Sequence, residues 1–340
     1  MKAARLHAYG QPLVIEEIPR PEPGVGQVVI RVEGAGFCHS DIHIISGQIQ
    51  TLPRMPLTLG HENAGTVAAV GSGVTSVKEG DRVAVYGGWG DGTCDYCVSG
   101  EENLCPTMQW VGLSQYDGGY AEYLLVPHER FLVPLHTLEP KAAAPLTDAA
   151  LTPYRAITRA LPFVQPNHPV LVIGCGGLGQ FGIKILRLLS GTDIIAVDAD
   201  AAKLATARDA GATYTIKATE SASAQIADLS HGGVSAAFDF VGVDATLALA
   251  LGAARSHGRV VQVGLGGGTA RVAPFVTTKP EVAFSVSWWG NIRELREVIA
   301  LAESGRLTPI PLEYYPLDRI NEAYDRLRHG QVSGRAVIVP

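Results

Sequence analysis

Val170-Leu171-Val172-Ile173-Gly174-Cys175-Gly176-Gly177-Leu178-Gly179 is the stretch on which the reading of this chain turns. Four apolar residues in a row make a strand buried on both faces. A Gly-x-Gly-x-x-Gly turn follows and opens into the helical run Leu178 to Leu189. Among 39 glycines such a hexapeptide says little alone, and an ordinary strand-to-helix turn would have the same spacing. Its context gives it weight. Gly174 permits the tight turn, and Gly176 lets a pyrophosphate approach the backbone. Gly179 allows helix and strand to pack closely, and the helix N-terminus at Gly177 and Leu178 favours negative charge. Asp198 ends the next apolar strand, about 20 residues further on, where an acid hydrogen-bonds the adenosine ribose hydroxyls and repels a 2′-phosphate. The stretch is therefore expected to bind NAD rather than NADP.

Outward from this motif the pattern repeats. Ile194 to Val197 is the next strand and Ala201 to Ala210 the next helix; Ala236 to Phe240 and Arg259 to Val263 continue the series. Apolar strands alternating with helices imply a parallel, doubly wound α/β sheet, expected over 150–285. Before it, Val28 to Val32, Thr66 to Val70 and Arg82 to Tyr86 are short strands split by glycine and proline, the mark of a β-rich, barrel-like unit. Thr147 to Ala160 is expected to be helical, interrupted at Pro153. Past residue 285, Ile292, Leu295, Val298, Ile299 and Ala302 line one face of a helix, and Arg335 to Val339 form a strand. This tail is expected to pack back onto the first domain, giving one domain of 1–149 with 286–340 and another of 150–285.

The net charge of −6 argues against a nucleic-acid partner, which normally meets a basic face. No stretch has the 18 uncharged apolar residues of a membrane span, and the N-terminus lacks the apolar core of a signal peptide, so a cytoplasmic location is the default expectation. Five cysteines do not pair evenly into disulfides. Three of them stand in Asp91-x2-Cys94-x2-Cys97-x7-Cys105, four donors on one short lobe. That spacing suits a closed structural zinc, and a reduced, metal-free loop is the other reading. Elsewhere lie Cys38-His39-Ser40-Asp41-Ile42-His43 and Gly60-His61-Glu62-Asn63-Ala64-Gly65. A cysteine from one and a histidine from the other would suit a tetrahedral zinc, although nothing in the sequence alone pairs them.

Together these residues resemble the zinc-dependent medium-chain alcohol dehydrogenase family, from Met1-Lys2-Ala3 to Gly334-Arg335-Ala336-Val337. Gly60-His61-Glu62-x2-Gly65-x5-Gly71-x2-Val74 matches the family's zinc signature in full. Pro145-Leu146-Thr147-Asp148-Ala149-Ala150-Leu151-Thr152-Pro153-Tyr154 and Trp288-Trp289-Gly290 are similar to the bacterial secondary and aryl alcohol dehydrogenases, including phenylacetaldehyde reductases. The resemblance implies a GroES-like catalytic domain beside a Rossmann domain and an activity that transfers hydride between NAD(H) and a small-molecule alcohol or carbonyl compound. It implies a catalytic zinc on Cys38, His61 and Asp148, with Asp41 fixing the His61 ring and Glu62 assisting ligand exchange. A second zinc would sit on Asp91, Cys94, Cys97 and Cys105, where relatives carry four cysteines. His39 and Arg335 would meet the pyrophosphate, Thr152, Val241, Val263 and Leu265 the nicotinamide, and Lys203 the adenosine ribose. Ser40 would take the alcohol proton, and His43 would pass it to solvent. Trp288 and Trp289 would line the substrate pocket, with Tyr86, Trp89 and Trp110 as further wall candidates. A homotetramer is implied, with a dimer next. Two other readings stand: a polyol or sugar dehydrogenase of the same fold, which the tryptophans disfavour, and a nucleotide-binding protein without catalysis, which would lack the ligand set.

Overall fold

The computed structural model describes residues 1–340, in two compact units: Met1–Leu151 with Gly290–Pro340, and Thr152–Trp289.

The first unit is built on a mostly antiparallel sheet. Its long central strand, Val28–Phe37, pairs with Glu62–Val70, with Tyr123–Val126 and with the C-terminal strand Arg335–Val339. Arg82–Val85 and Leu132–Pro134 extend one side, and Leu312–Pro316 the other. The C-terminal tail thus lies in the sheet of the N-terminal segment, with Ala336 opposite Phe37. Val28–Phe37 runs well beyond the expected Val28 to Val32. Its second half, Glu33-Gly34-Ala35-Gly36-Phe37, has little β-branched character, but Gly34, Ala35 and Gly36 are buried and the ladder continues through them. Thr147 to Ala160 is not one helix. A 3-10 turn, Ala144–Thr147, ends before Asp148, and the helix Leu151–Ala160 starts after it, with Pro153 in its first turn, where a missing N–H costs nothing. The turn packs on Val28–Phe37, on Glu62–Val70 and on the helix Ile292–Glu303. That helix is capped by Asn291 and Glu294, whose side chains each accept the other's backbone N–H.

The second unit is a six-stranded, wholly parallel sheet. Its order is Tyr214–Lys217, Ile194–Asp198, Val170–Ile173, Val234–Asp239, Ala254–Gln262, Ala283–Val286. In chain order that is 3-2-1-4-5-6, the doubly wound arrangement, whose direction of winding reverses between Val170–Ile173 and Val234–Asp239. Leu171, Ile173, Ile195, Val197, Val260 and the inner faces of the helices Ala222–Ser230 and Asp244–Ala253 form its core. The two edge strands carry no continuous apolar run and are partly exposed, which is why periodicity does not reveal them.

Candidate active site and nucleotide loop

Three turns deliver side chains to one end of the antiparallel sheet. Cys38 follows the strand Val28–Phe37 and caps the helix His39–Ile45; His61 precedes the strand Glu62–Val70. Because Gly36 pairs with Glu62, both residues leave the ladder at the same end. Asp148, in the break between the 3-10 turn and the next helix, brings its carboxylate to meet them. Its Oδ2 lies 3.6 Å from Cys38 Sγ and 3.6 Å from His61 Nε2. Cys38 and His61 are buried, and Asp148 is 9% exposed. With a Glu62 oxygen, these donor atoms all lie within 4.8 Å of one another.

Arg335 completes the cluster. It is 2% exposed, and its guanidinium grips the Glu62 carboxylate with two hydrogen bonds, Nε to Oε2 at 3.0 Å and Nη2 to Oε1. Nη2 also lies 3.6 Å from Asp148 Oδ2. The side chain of Arg335, expected to meet a pyrophosphate, is bonded here to Glu62, at the ligand cluster. Glu62 in turn lies flat on the neighbouring strand, where a Cβ on Gly36 would stand 1.9 Å from its Oε2. Beside Glu62, which an arginine ties, the cluster offers one thiol, one imidazole and one carboxylate. Three protein ligands with a fourth position open is the pattern of a catalytic zinc, so the donor set fits the metal.

The electrostatics agree. Burial opposes charge on Cys38, but Arg335 and then His61 hold its thiol below the usual range against the repulsion of Asp148. Burial likewise opposes charge on His61, yet Asp41, Asp148 and Cys38 together push its pKa well above the ordinary value. A site that so favours a proton on His61 is one where a cation is welcome.

Around the ligands, Asp41 is fully buried, with Oδ1 3.4 Å from His61 Nδ1 and Oδ2 accepting the Cys38 backbone N–H at 3.1 Å. Tyr120 donates to the same Oδ2 at 2.8 Å; neither spacing nor composition singles it out in the sequence. Ser40 Oγ is 3.5 Å from Cys38 Sγ, and His43 Nδ1 is 2.7 Å from Gln48 Oε1, both residues half-buried on the helix His39–Ile45; His39 is exposed. Trp110 stands edge-on to His61, ring centres 5.9 Å apart. Two other wall candidates are core residues. Trp89 is 3% exposed, donates Nε1–H to Tyr86 O and packs edge-on against Tyr116; Tyr86 is fully buried, with Oη bonded to Gly290 O. Large aromatics serve cores and pockets equally well, so sequence does not separate the two uses. Trp288 and Trp289 end the second unit, half-buried and buried respectively.

The lobe of 91–105 forms a second cluster. Ligand atoms of Asp91, Cys94, Cys97 and Cys105 also lie within 4.8 Å of one another. Asp91 Oδ1 accepts backbone N–H bonds from Thr93 and Cys94 at 2.7 and 2.9 Å, and Oδ2 accepts from Thr107 at 2.8 Å. These donors hold its carboxyl well below the usual range, while burial pushes the Cys97 thiol up to about 12. An ionised carboxylate beside three thiols suits a closed zinc site.

In the second unit, Gly174 has φ +87°, and a Cβ on it would press on Val241. A Cβ on Gly179 would stand 1.8 Å from Gly174 O, so helix and loop approach as only glycine allows. Gly176, the N-cap of the helix Gly177–Leu189, has nothing within 4 Å of a Cβ and no side-chain cap. Its open side leaves helix N–H groups free for an anion, which fits a pyrophosphate. Asp198 Oδ2 accepts the Cys175 N–H at 2.7 Å and Oδ1 that of Asp200 at 2.9 Å, placing the acid beside the glycine turn. Val241 and Leu265 are half-buried and Val263 buried on the segments that follow the fourth and fifth strands in chain order, Val234–Asp239 and Ala254–Gln262; Thr152 is buried, and Lys203 is half-buried in the helix Ala201–Asp209.

The alcohol dehydrogenase GroES-like domain model matches residues 24–137, and the zinc-binding dehydrogenase model residues 177–304. The chain is 40% identical, over the whole of both chains, to an NAD-dependent alcohol dehydrogenase of Sulfurisphaera tokodaii. It is 38% identical to a D-arabinose 1-dehydrogenase (NADP(+)) of Saccharolobus solfataricus, covering 100% of this chain and 97% of that one. The structure of acetophenone reductase from Geotrichum candidum in complex with NAD superposes with a TM-score of 0.89 at 31% identity, covering 100% and 97%. With the ligand cluster and the nucleotide loop both in place, the chain belongs to the zinc-dependent medium-chain alcohol dehydrogenase family.

Proposed function

We propose that this protein is an NAD-linked dehydrogenase that interconverts secondary or aryl alcohols with their ketones or aldehydes. The observation that carries the reading is the convergence of Cys38, His61 and Asp148, with Glu62 beside them tied by Arg335. A zinc bound by those three residues supplies the Lewis acid that polarises the substrate oxygen, and NAD supplies the hydride acceptor. The remaining tasks fall to side chains. Ser40 takes the hydroxyl proton, and His43 lies one helical turn further along the same face, placed to release it to solvent. Gln48 engages His43 Nδ1, so Nε2 is the nitrogen that exchanges the proton. Trp110 beside His61 gives the site an aromatic wall, which suits an aryl or medium-length secondary alcohol better than a polyol needing several polar partners.

On the nucleotide side, Gly174, Gly176 and Gly179 cradle the pyrophosphate and Asp198 selects NAD. Asp198→Ala should narrow the NAD over NADP preference by roughly tenfold or more, the worth of one charge-assisted hydrogen bond; an unchanged ratio of kcat/KM values would remove that role. The lobe of Asp91, Cys94, Cys97 and Cys105 holds a second, structural zinc. No helix is long and apolar enough to cross a membrane. All five cysteines are free, as a reducing compartment would keep them, and we place the enzyme in the cytoplasm. We read the assembly as a homotetramer, with a dimer as the alternative. The half-exposed edge strand Ala283–Val286 and the bare side chains of Phe275 (84% exposed) and Val276 (79%) support self-association; a monomer by light scattering would overturn it.

The decisive assay follows NADH formation over ethanol, 1-phenylethanol, longer 2-alkanols, benzyl alcohol and sorbitol, with and without a zinc chelator. Chelator-sensitive turnover of the secondary and aryl alcohols is expected. Activity confined to sorbitol would favour a polyol enzyme, and no turnover in a protein that binds NAD would favour a non-catalytic role.

A further inference from the structure

Tyr120 follows Gly118 and Gly119 and is fully buried. Backbone bonds fix it on both sides: its N–H donates to Leu59 O at 3.0 Å, and its carbonyl accepts the Ala4 N–H at 2.8 Å. Its ring packs edge-on to Phe37, centres 5.2 Å apart. It also covers Gly60, where a Cβ would stand 2.7 Å from the ring. The ring therefore rests on the residues that precede Cys38 and His61 in the chain. Its single hydroxyl proton has two acceptors in reach, Gly36 O at 3.2 Å and Asp41 Oδ2 at 2.8 Å, and the shorter contact is to the carboxylate.

That contact decides how Asp41 is oriented. Oδ2 receives two donors, the Tyr120 hydroxyl and the Cys38 backbone N–H, which leaves Oδ1 for His61 Nδ1 at 3.4 Å. With Nδ1 turned to Asp41, Nε2 faces Cys38 and Asp148. We propose that Tyr120 is a positioning residue of the metal site, acting through Asp41 to hold the His61 ring and its tautomer. Removing the hydroxyl leaves Oδ2 with one donor. Asp41 can then rotate, and Nε2 is less often where a metal needs it. The role rests on the metal-site reading proposed above.

Tyr120→Phe keeps the ring and deletes only the hydroxyl. The test is zinc release from the full-length protein to a chelator, followed alongside thermal unfolding. The phase belonging to this site is the one absent in Cys38→Ser. In Tyr120→Phe that phase should quicken about tenfold, the lower end of what loss of an outer hydrogen-bond partner does to metal affinity, while the phase of the 91–105 lobe is unchanged. In an Asp41→Asn background the same substitution should add nothing, since the effect runs through the carboxylate. An unchanged release phase, or an equal acceleration on top of Asp41→Asn, would overturn the proposal, as would a lowered Tm with release unaltered, which is the signature of packing alone. If Cys38→Ser abolishes no phase, it is the metal-site reading that fails.

Discussion

Two clusters in the first unit draw on the same kinds of donor and are held in opposite ways. Cys38, His61 and Asp148 come from three distant segments, are buried, and are surrounded by partners from other segments: Asp41 on His61, Arg335 on Glu62, Gly36 beneath Glu62. Asp91, Cys94, Cys97 and Cys105 come from one short loop. Their partners are mostly the loop's own N–H and hydroxyl groups, and all but Cys105 are at least partly exposed. The buried cluster is a product of the tertiary fold, whereas the lobe is a product of local sequence. Disturbing the buried cluster should cost chemistry, and disturbing the lobe should cost stability.

The strongest test removes a carboxylate from the buried cluster. Asp148→Ala should lose the metal of that site and lower kcat/KM by on the order of 10³-fold or more, the scale of several kcal/mol of Lewis-acid stabilisation. Metal content and kinetics on one preparation check it together. A variant keeping both metal and activity would move the third ligand elsewhere and dissolve the contrast.

A smaller effect is expected one step outward. In Gly36→Ala the new methyl would stand 1.9 Å from Glu62 Oε2, so the Glu62–Arg335 pair must shift or the strand must bend. Overpacking of this kind costs about 1–3 kcal/mol. Because the displaced group lies at the ligand cluster, turnover should fall by roughly tenfold with metal still bound. Unchanged kinetics would mean that Glu62 and Arg335 serve packing only.

The same contrast explains what the sequence discloses. The strand, turn and helix around Gly174 are contiguous, and Gly174 and Gly179 each answer a local steric demand, so both the doubly wound sheet and its loop are legible. The lobe is legible for the same reason, through its cysteine spacing. Cys38 and Asp148 carry no local mark and are found only through resemblance to a family pattern. The residues that hold the ligands are harder still. Tyr120 and Gly36 sit in stretches with no distinguishing mark in the sequence: Gly36 lies past the expected strand end at Val32, and its meaning arises only when the register sets it against Glu62. Trp89 marks another limit: a tryptophan has the same apolar bulk in a core as in a pocket, and its burial and its bond to Tyr86 O are seen only in the fold.

The smallest effect on chemistry should come from the lobe. Asp91→Ala deletes a carboxylate ligand, as Asp148→Ala does, but leaves three thiols on one loop. Deleting Asp91 also removes the acceptor of the Thr93, Cys94 and Thr107 donors, so the loop should loosen even where metal remains. At low temperature kcat/KM should stay within about twofold of the parent, because nothing in the buried cluster moves. The cost should instead appear as faster loss of lobe zinc to chelator and a Tm lower by on the order of 5 °C, about 2 kcal/mol for a domain of this size. Chelator should lower the parent's Tm toward the variant's and lower the variant's by less. A large fall in kcat/KM at low temperature, with the buried metal retained, would show that the lobe acts on the chemistry and that local and tertiary clusters are not separable.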